Sequence, residues 1–127
     1  MKEADSMRGN QGIQSGGAIH WFLQRVTGIC LVIVVAVHTI LAHYTVPEGG
    51  LSYEWVAHRL GQPLWKLFYI FLLFLCVYHG LNGIWIIVQD YVHKDGWRVA
   101  IFGALIMLGV LMLSIGLLTI VPLGIRG

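Results

Sequence analysis

The chain has 127 residues, of which 57% are hydrophobic and 11% charged, and a formal net charge of +2. An ordinary soluble domain carries about 25% charged residues, and one core at this length cannot absorb so large an apolar surplus. That surplus must face lipid or partner subunits, the small charge points away from nucleic acid, and the length allows one domain.

Residues 1–17 are polar and rich in Gly, Ser and Gln, with no hydrophobic period, which predicts a loosely ordered tail lying in water or on a partner. Residues 18–127 read as a single transmembrane domain. Its first span covers about 20–43, longer than the roughly 7–15 apolar residues of a signal peptide and so expected to be retained. The turn formers Pro47, Glu48, Gly49 and Gly50 follow. Tyr53, Trp55, Val56, Arg59 and Leu60 then recur at helical spacing, which predicts a short interfacial helix over 51–61. Pro63 suits the first turn of a second span, 64–89. A charged loop from Asp90 to Arg98 leads to a third span, 98–121. Each span meets the requirement of about 20 apolar residues for crossing a bilayer. The fold class is an all-α membrane protein with three transmembrane helices, forming part of a heteromeric helical bundle.

Lys2, Arg8, Arg25, Lys94 and Arg98 fall on one side of such a protein, and Arg59, Lys66 and Arg126 on the other. The bias puts the N-terminus in the cytoplasm. Trp21, Trp55, Trp65 and Trp97 sit at or near span ends, as an aromatic belt does. Cys30 and Cys76 lie in apolar stretches without C-x-x-C or C-x-x-C-H spacing, so they read as buried hydrophobes. Gly103, Gly109, Ser114 and Gly116 give the third span small residues for close helix approach and no ionisable group for chemistry.

The histidines carry the functional reading. An ionisable side chain inside a span is costly and marks function by default. His38 and His79 each lie deep in an apolar run, with no carboxylate within a helical turn to make a proton relay. The iron of a haem satisfies a neutral imidazole nitrogen; a hydrogen bond to a neighbouring helix carbonyl is the plainer alternative. At about 1.5 Å per residue, His79 lies roughly 16 Å from Asp90 and His38 roughly 24 Å from the start of the first span. The two are therefore at different depths. If both are ligands, each needs a partner histidine from another subunit. His43, near the outer interface, is an alternative ligand to His38. His58 and His93 read as solvated loop residues, and His20 stands at the mouth of the first span.

His79-Gly80-Leu81-Asn82-Gly83-Ile84-Trp85, with Asp90-Tyr91 eleven and twelve residues after the histidine, resembles the second-helix signature of the cytochrome b anchor subunits of succinate dehydrogenase. Gln24-Arg25-Val26-Thr27-Gly28 resembles the R-x-[ST]-G element opening their first helix, and His38, thirteen residues after Arg25, matches the extra ligand of two-haem members. The resemblance covers about 19–98 and favours the D-type anchor over the C-type. It implies His79 and His38 as axial ligands of two haem b groups, each shared with a partner subunit. It also implies quinone contact at Asp90 and Tyr91. Arg25 and His20 suit a haem propionate or a quinone oxygen, and Asn82 and Gly83 lie on or beside the His79 face, where Gly83 leaves room for a porphyrin or a closely packed helix.

The resemblance further implies an anchor that is not an enzyme on its own. It would sit in the inner, cytoplasmic membrane with a second cytochrome b anchor subunit, an iron–sulfur subunit and a flavoprotein, and pass electrons between these and quinone. The rivals are a quinone-reactive haem-b subunit of fumarate reductase or another respiratory complex, and a haem-free structural anchor.

Overall fold

A computed structural model describes residues 17–123 and is all-helical over that range. The tail expected over 1–17 lies, except for Gly17, outside the described residues, as do Lys2, Arg8 and Arg126. Four helices follow in order: α1 Gly17–Tyr44, α2 Tyr53–Gly61, α3 Pro63–Tyr91 and α4 Asp95–Ile120. Three of them, α1, α3 and α4, are long and apolar enough to cross a membrane. This is the three-span fold expected from the sequence.

The β-branched run Val32-Ile33-Val34-Val35 in α1 would favour a strand in water. In hydrocarbon an unpaired strand leaves its backbone unsatisfied, whereas a helix closes every bond within the segment. Lipid thus overrides propensity here. Past Tyr44, the Thr45 hydroxyl donates to the Leu41 carbonyl. The chain then turns through Pro47–Gly50, closed by a 2.9 Å bond from the Gly50 N–H to the Pro47 carbonyl. Gly50 has φ +85°, a left-handed conformation that costs glycine little. Ser52 caps α2 by accepting from the Trp55 N–H at 3.2 Å. Pro63 stands at the start of α3, where its missing N–H is no loss.

The segment joining α3 to α4 is shorter than the charged loop expected over 90–98. Only Val92, His93 and Lys94 lie outside helix, because α4 begins at Asp95, whose carboxylate suits the positive end of a helix dipole. So short a link keeps α3 and α4 side by side and antiparallel.

Helix α3 is the centre of the bundle. It packs on α1, α2 and α4, and no other pair of helices shares an extensive face. Against α4 the fit depends on two glycines seven residues apart: a Cβ on Gly109 would lie 2.7 Å from Leu81 Cδ1, and one on Gly116 would lie 2.5 Å from Leu73 Cδ2. Gly103 faces open space, and Ser114, exposed, donates to the Val110 carbonyl of its own helix at 2.7 Å. The small residues of α4 are therefore not equivalent. Both ends of the α3–α4 pair are tied, by Arg98 Nη2 donating to the Gln89 carbonyl at 3.1 Å and Lys66 Nζ to the Val121 carbonyl at 3.0 Å.

Overpacking a fitted contact typically costs about 1–3 kcal/mol. Gly116→Leu or Gly109→Leu should therefore lower stability in detergent by about that amount, while Gly103→Leu changes it little. Unfolding titrations of the three variants in mixed micelles check this.

Candidate functional site

The His79 side chain is held between α1 and α3 by two sets of residues with the same spacing. On α1, Gln24, Thr27 and Gly28 stand at i, i+3 and i+4; on α3, His79, Asn82 and Gly83 do the same. Each set forms one helical stripe, and the stripes face each other. Thr27 Oγ1 lies 3.1 Å from His79 Nδ1. A Cβ added to Gly28 would stand 3.1 Å from His79 Cε1, so glycine is what lets the ring come this close to α1.

The Thr27 hydroxyl also stands 2.7 Å from the Leu23 carbonyl and 3.3 Å from that of Gln24. With its single proton on Leu23, Oγ1 is free to accept from a protonated Nδ1, the tautomer that leaves the lone pair of the neutral imidazole on Nε2. Among the described residues the one side-chain hydrogen bond of His79 is at Nδ1. Thr27 is itself 9% exposed, which keeps water from competing for the contact.

One helical turn along, Asn82 is 8% exposed and completes the seam. Its Nδ2 donates to Gln24 Oε1 at 2.8 Å and to the His20 carbonyl at 3.3 Å. A Cβ on Gly83 would lie 3.0 Å from Gln24 Nε2, so the space Gly83 leaves is taken by the α1 glutamine, the closely packed helix of the two occupants considered for it.

His38 occupies a second level. Its ring meets Tyr69 of α3 edge to face, with centroids 5.5 Å apart, and its Nδ1 is buried with no hydrogen-bond partner. From Thr27 to His38 is eleven residues along α1, and from His79 to Tyr69 is ten along α3, so the two histidines stand about 15–17 Å apart along the bundle. His43 is exposed, five residues further along α1, and its ring meets only that of Tyr44, at 5.1 Å.

The remaining candidates are not gathered into the seam. Asp90 and Tyr91 are exposed at the end of α3, Tyr91 at 79%. Arg25 is exposed, its guanidinium 4.1 Å over the Trp21 ring of its own helix. The exposed His20 lines an apolar cleft of about 370 Å³ between α3 and α4, with Tyr78, Trp85 and Phe102 among its walls. Among the described residues no three His, Cys, Asp or Glu side chains cluster as a metal site. Thr27, Gly28 and Gln24 are the residues that sequence reasoning did not single out for the site, although they belong to the same short motif as Arg25.

Residues 9–117 match the succinate dehydrogenase/fumarate reductase transmembrane subunit family. The chain belongs to that family. Among its relatives are the succinate dehydrogenase hydrophobic membrane anchor subunits of Thermoplasma acidophilum and Archaeoglobus fulgidus. The first is 32% identical over 58% of this chain and 60% of its own length, the second 33% identical over 55% and 59%. The corresponding subunit of Rickettsia bellii is 25% identical over 70% of this chain and 69% of its own. The chain thus spans about three fifths of the length of the two archaeal relatives. The family match takes in both halves of the α1–α3 seam.

Asn82 and Gln24 form a part-buried interhelical pair, and such pairs in membrane proteins contribute about 0.6–1.7 kcal/mol. Asn82→Leu and Gln24→Leu should each destabilise the protein, and the double variant should fall short of the sum by about that coupling. A double-mutant cycle of unfolding in micelles measures it.

Proposed function

We propose that this family member is the haem b-binding anchor of a succinate:quinone oxidoreductase, of the D type, with His79 as an axial ligand. One observation carries the reading: an imidazole deep in an apolar helix whose Nδ1 stands 3.1 Å from Thr27 Oγ1, which leaves Nε2 for a metal. Histidines that ligate metals are held in this way, their other ring nitrogen donating to a fixed acceptor that sets both tautomer and basicity. The residues fit the group. His79 would hold the iron through Nε2, Thr27 orients the ring, and Gly28 gives it clearance against α1. Haem b bound there supplies a one-electron redox centre within the membrane.

Each level of the chain offers one histidine, so the second axial ligand must come from a partner subunit, a second cytochrome b anchor. His38 is the proposed ligand of a second haem. Its separation from His79 rules out a shared iron, and its orphaned Nδ1 is a costly buried group in search of a partner. The positive-inside bias supports a cytoplasmic N-terminus in the inner membrane. That orientation puts the exposed Asp90, Tyr91 and Arg25 at the cytoplasmic end, open to an iron–sulfur subunit, a flavoprotein and quinone. Tyr91 would donate to a quinone carbonyl, with Asp90 orienting it. Arg25 and His20 stand where a propionate or quinone oxygen would be met. Succinate chemistry belongs to the flavoprotein, and the chain contributes ligands, docking and quinone contact.

The test is haem quantification and a reduced-minus-oxidised spectrum of the purified complex. Two haems b per complex are expected, with His79→Ala losing one and His38→Ala the other. Haem content unchanged in His79→Ala would overturn the ligand assignment.

Thr27 allows a finer check. Thr27→Val keeps the shape but removes the acceptor for Nδ1–H, which makes the imidazole a weaker donor. Haem affinity should fall about 10–100-fold, and the midpoint potential of the retained haem should rise, with Thr27→Ser restoring both. Redox titration of the three proteins reads this directly.

A further inference from the structure

At the end of the bundle opposite the α3–α4 link, Arg59 of α2 is 8% exposed, one of the most buried polar side chains among the described residues. Its position follows from the local sequence. Trp55 lies one helical turn before it on α2, and Pro63 turns the chain into α3 so that Trp65 comes round beside it. The guanidinium carbon stands 4.0 Å from the Trp65 ring centroid and 4.9 Å from that of Trp55. Nη1 donates to Thr45 Oγ1 at 2.8 Å, and the Thr45 hydroxyl donates in turn to the Leu41 carbonyl. Nε is buried with no partner. Among the described residues no carboxylate forms an ion pair with this cation.

The indole faces attract the charge but supply no acceptor for the in-plane N–H donors. A buried guanidinium without a counter-ion is expensive, so the missing acceptor has to come from beyond the described residues. A pocket of about 230 Å³ opens at this point, lined by Thr45, Trp55, His58, Arg59, Gln62 and Trp65, its wall half polar and half apolar. That is below the about 300–1,000 Å³ of sites that enclose a drug-sized ligand, and far too small for a macrocycle. His58 and Gln62, both exposed, add donors at the rim. Tryptophans at span ends mark the membrane–water interface, the level of lipid phosphates, and the planar arginine fork matches a phosphate in bidentate fashion.

We propose that the Arg59 pocket binds the phosphate of an anionic phospholipid headgroup. The lipid phosphate neutralises Arg59 and, by bridging α2 to the end of α1, holds the interfacial helix against the bundle. The proposal does not depend on haem binding.

The test uses the complex purified through the full-length chain, delipidated and titrated with phosphatidylglycerol, phosphatidylcholine or inorganic phosphate, with bound lipid counted by native mass spectrometry. The wild-type complex should retain one more phosphatidylglycerol than Arg59→Gln, whose apparent Kd for that lipid should rise at least ten-fold, a threshold set by one lost charge-assisted contact. Arg59→Lys, which keeps the charge without the fork, should fall between. Thermal stabilisation should follow phosphatidylglycerol and not phosphatidylcholine. Equal phosphatidylglycerol binding by wild type and Arg59→Gln would overturn the proposal. So would saturation by inorganic phosphate alone, which would make the ligand a free anion, or an altered haem spectrum in Arg59→Gln, which would make it a propionate. If Arg59→Gln does not assemble, the rim variant His58→Ala carries the test: binding about three-fold weaker supports the site, and unchanged binding counts against it.

Discussion

Inside a bilayer a polar group has no water to turn to, so each one must find a partner in protein, cofactor or headgroup. Among the described residues three polar side chains, Thr27, Asn82 and Arg59, are about as well buried as the best-buried apolar ones, Leu60, Leu75 and Val77. Two of the three lie on the seam between α1 and α3, and the third ties α2 to the end of α1 beside the start of α3. With lipid tails as apolar as leucine, the hydrophobic effect does little to choose one helix face over another. Polar pairing and close backbone approach at glycine choose it instead.

The bundle follows from that division of labour. On one side of α3, hydrogen bonds of His79 and Asn82 with Thr27 and Gln24 fix rotation and offset against α1. On the other, Gly109 and Gly116 admit Leu81 and Leu73, and α4 is fixed by shape. His79 sits on the polar side, where a fixed tautomer can be maintained, and not on the shape-fitted side, where no acceptor is available. The site and the helix packing are therefore one structure: the contacts that hold α1 against α3 are the contacts that orient the histidine.

Most large apolar side chains of α1 and α4 remain exposed, with only 6% of the most hydrophobic window of each helix buried. Under the proposed assembly, lipid and a second anchor subunit divide that surface between them. A single histidine at each of two levels fits the same arrangement, since an axial pair is then completed only across a subunit interface. The ends of the bundle differ in character. One carries the exposed Asp90, Tyr91 and Arg25; the other carries a buried arginine between tryptophans.

The amino-acid sequence alone was enough for the three spans, the different levels of His38 and His79 along the bundle and the short helix within residues 51–61, because hydropathy and 1.5 Å per residue are local quantities. It was enough as well for the family resemblance, which rests on short motifs. It could not show that Thr27 and Gly28 receive His79, or that Gln24 takes the space beside Gly83. A helix that is apolar nearly all round has no hydrophobic stripe to declare which face meets which neighbour, so rotation and offset between helices are left to contacts far apart in the chain. The short R-x-[ST]-G element drew attention to its arginine, yet the structure leaves Arg25 exposed and uses the threonine and glycine. Arg59 was legible as an interfacial cation. Its burial against Trp55 and Trp65 came only with the turn at Pro63 that folds α2 back onto α3.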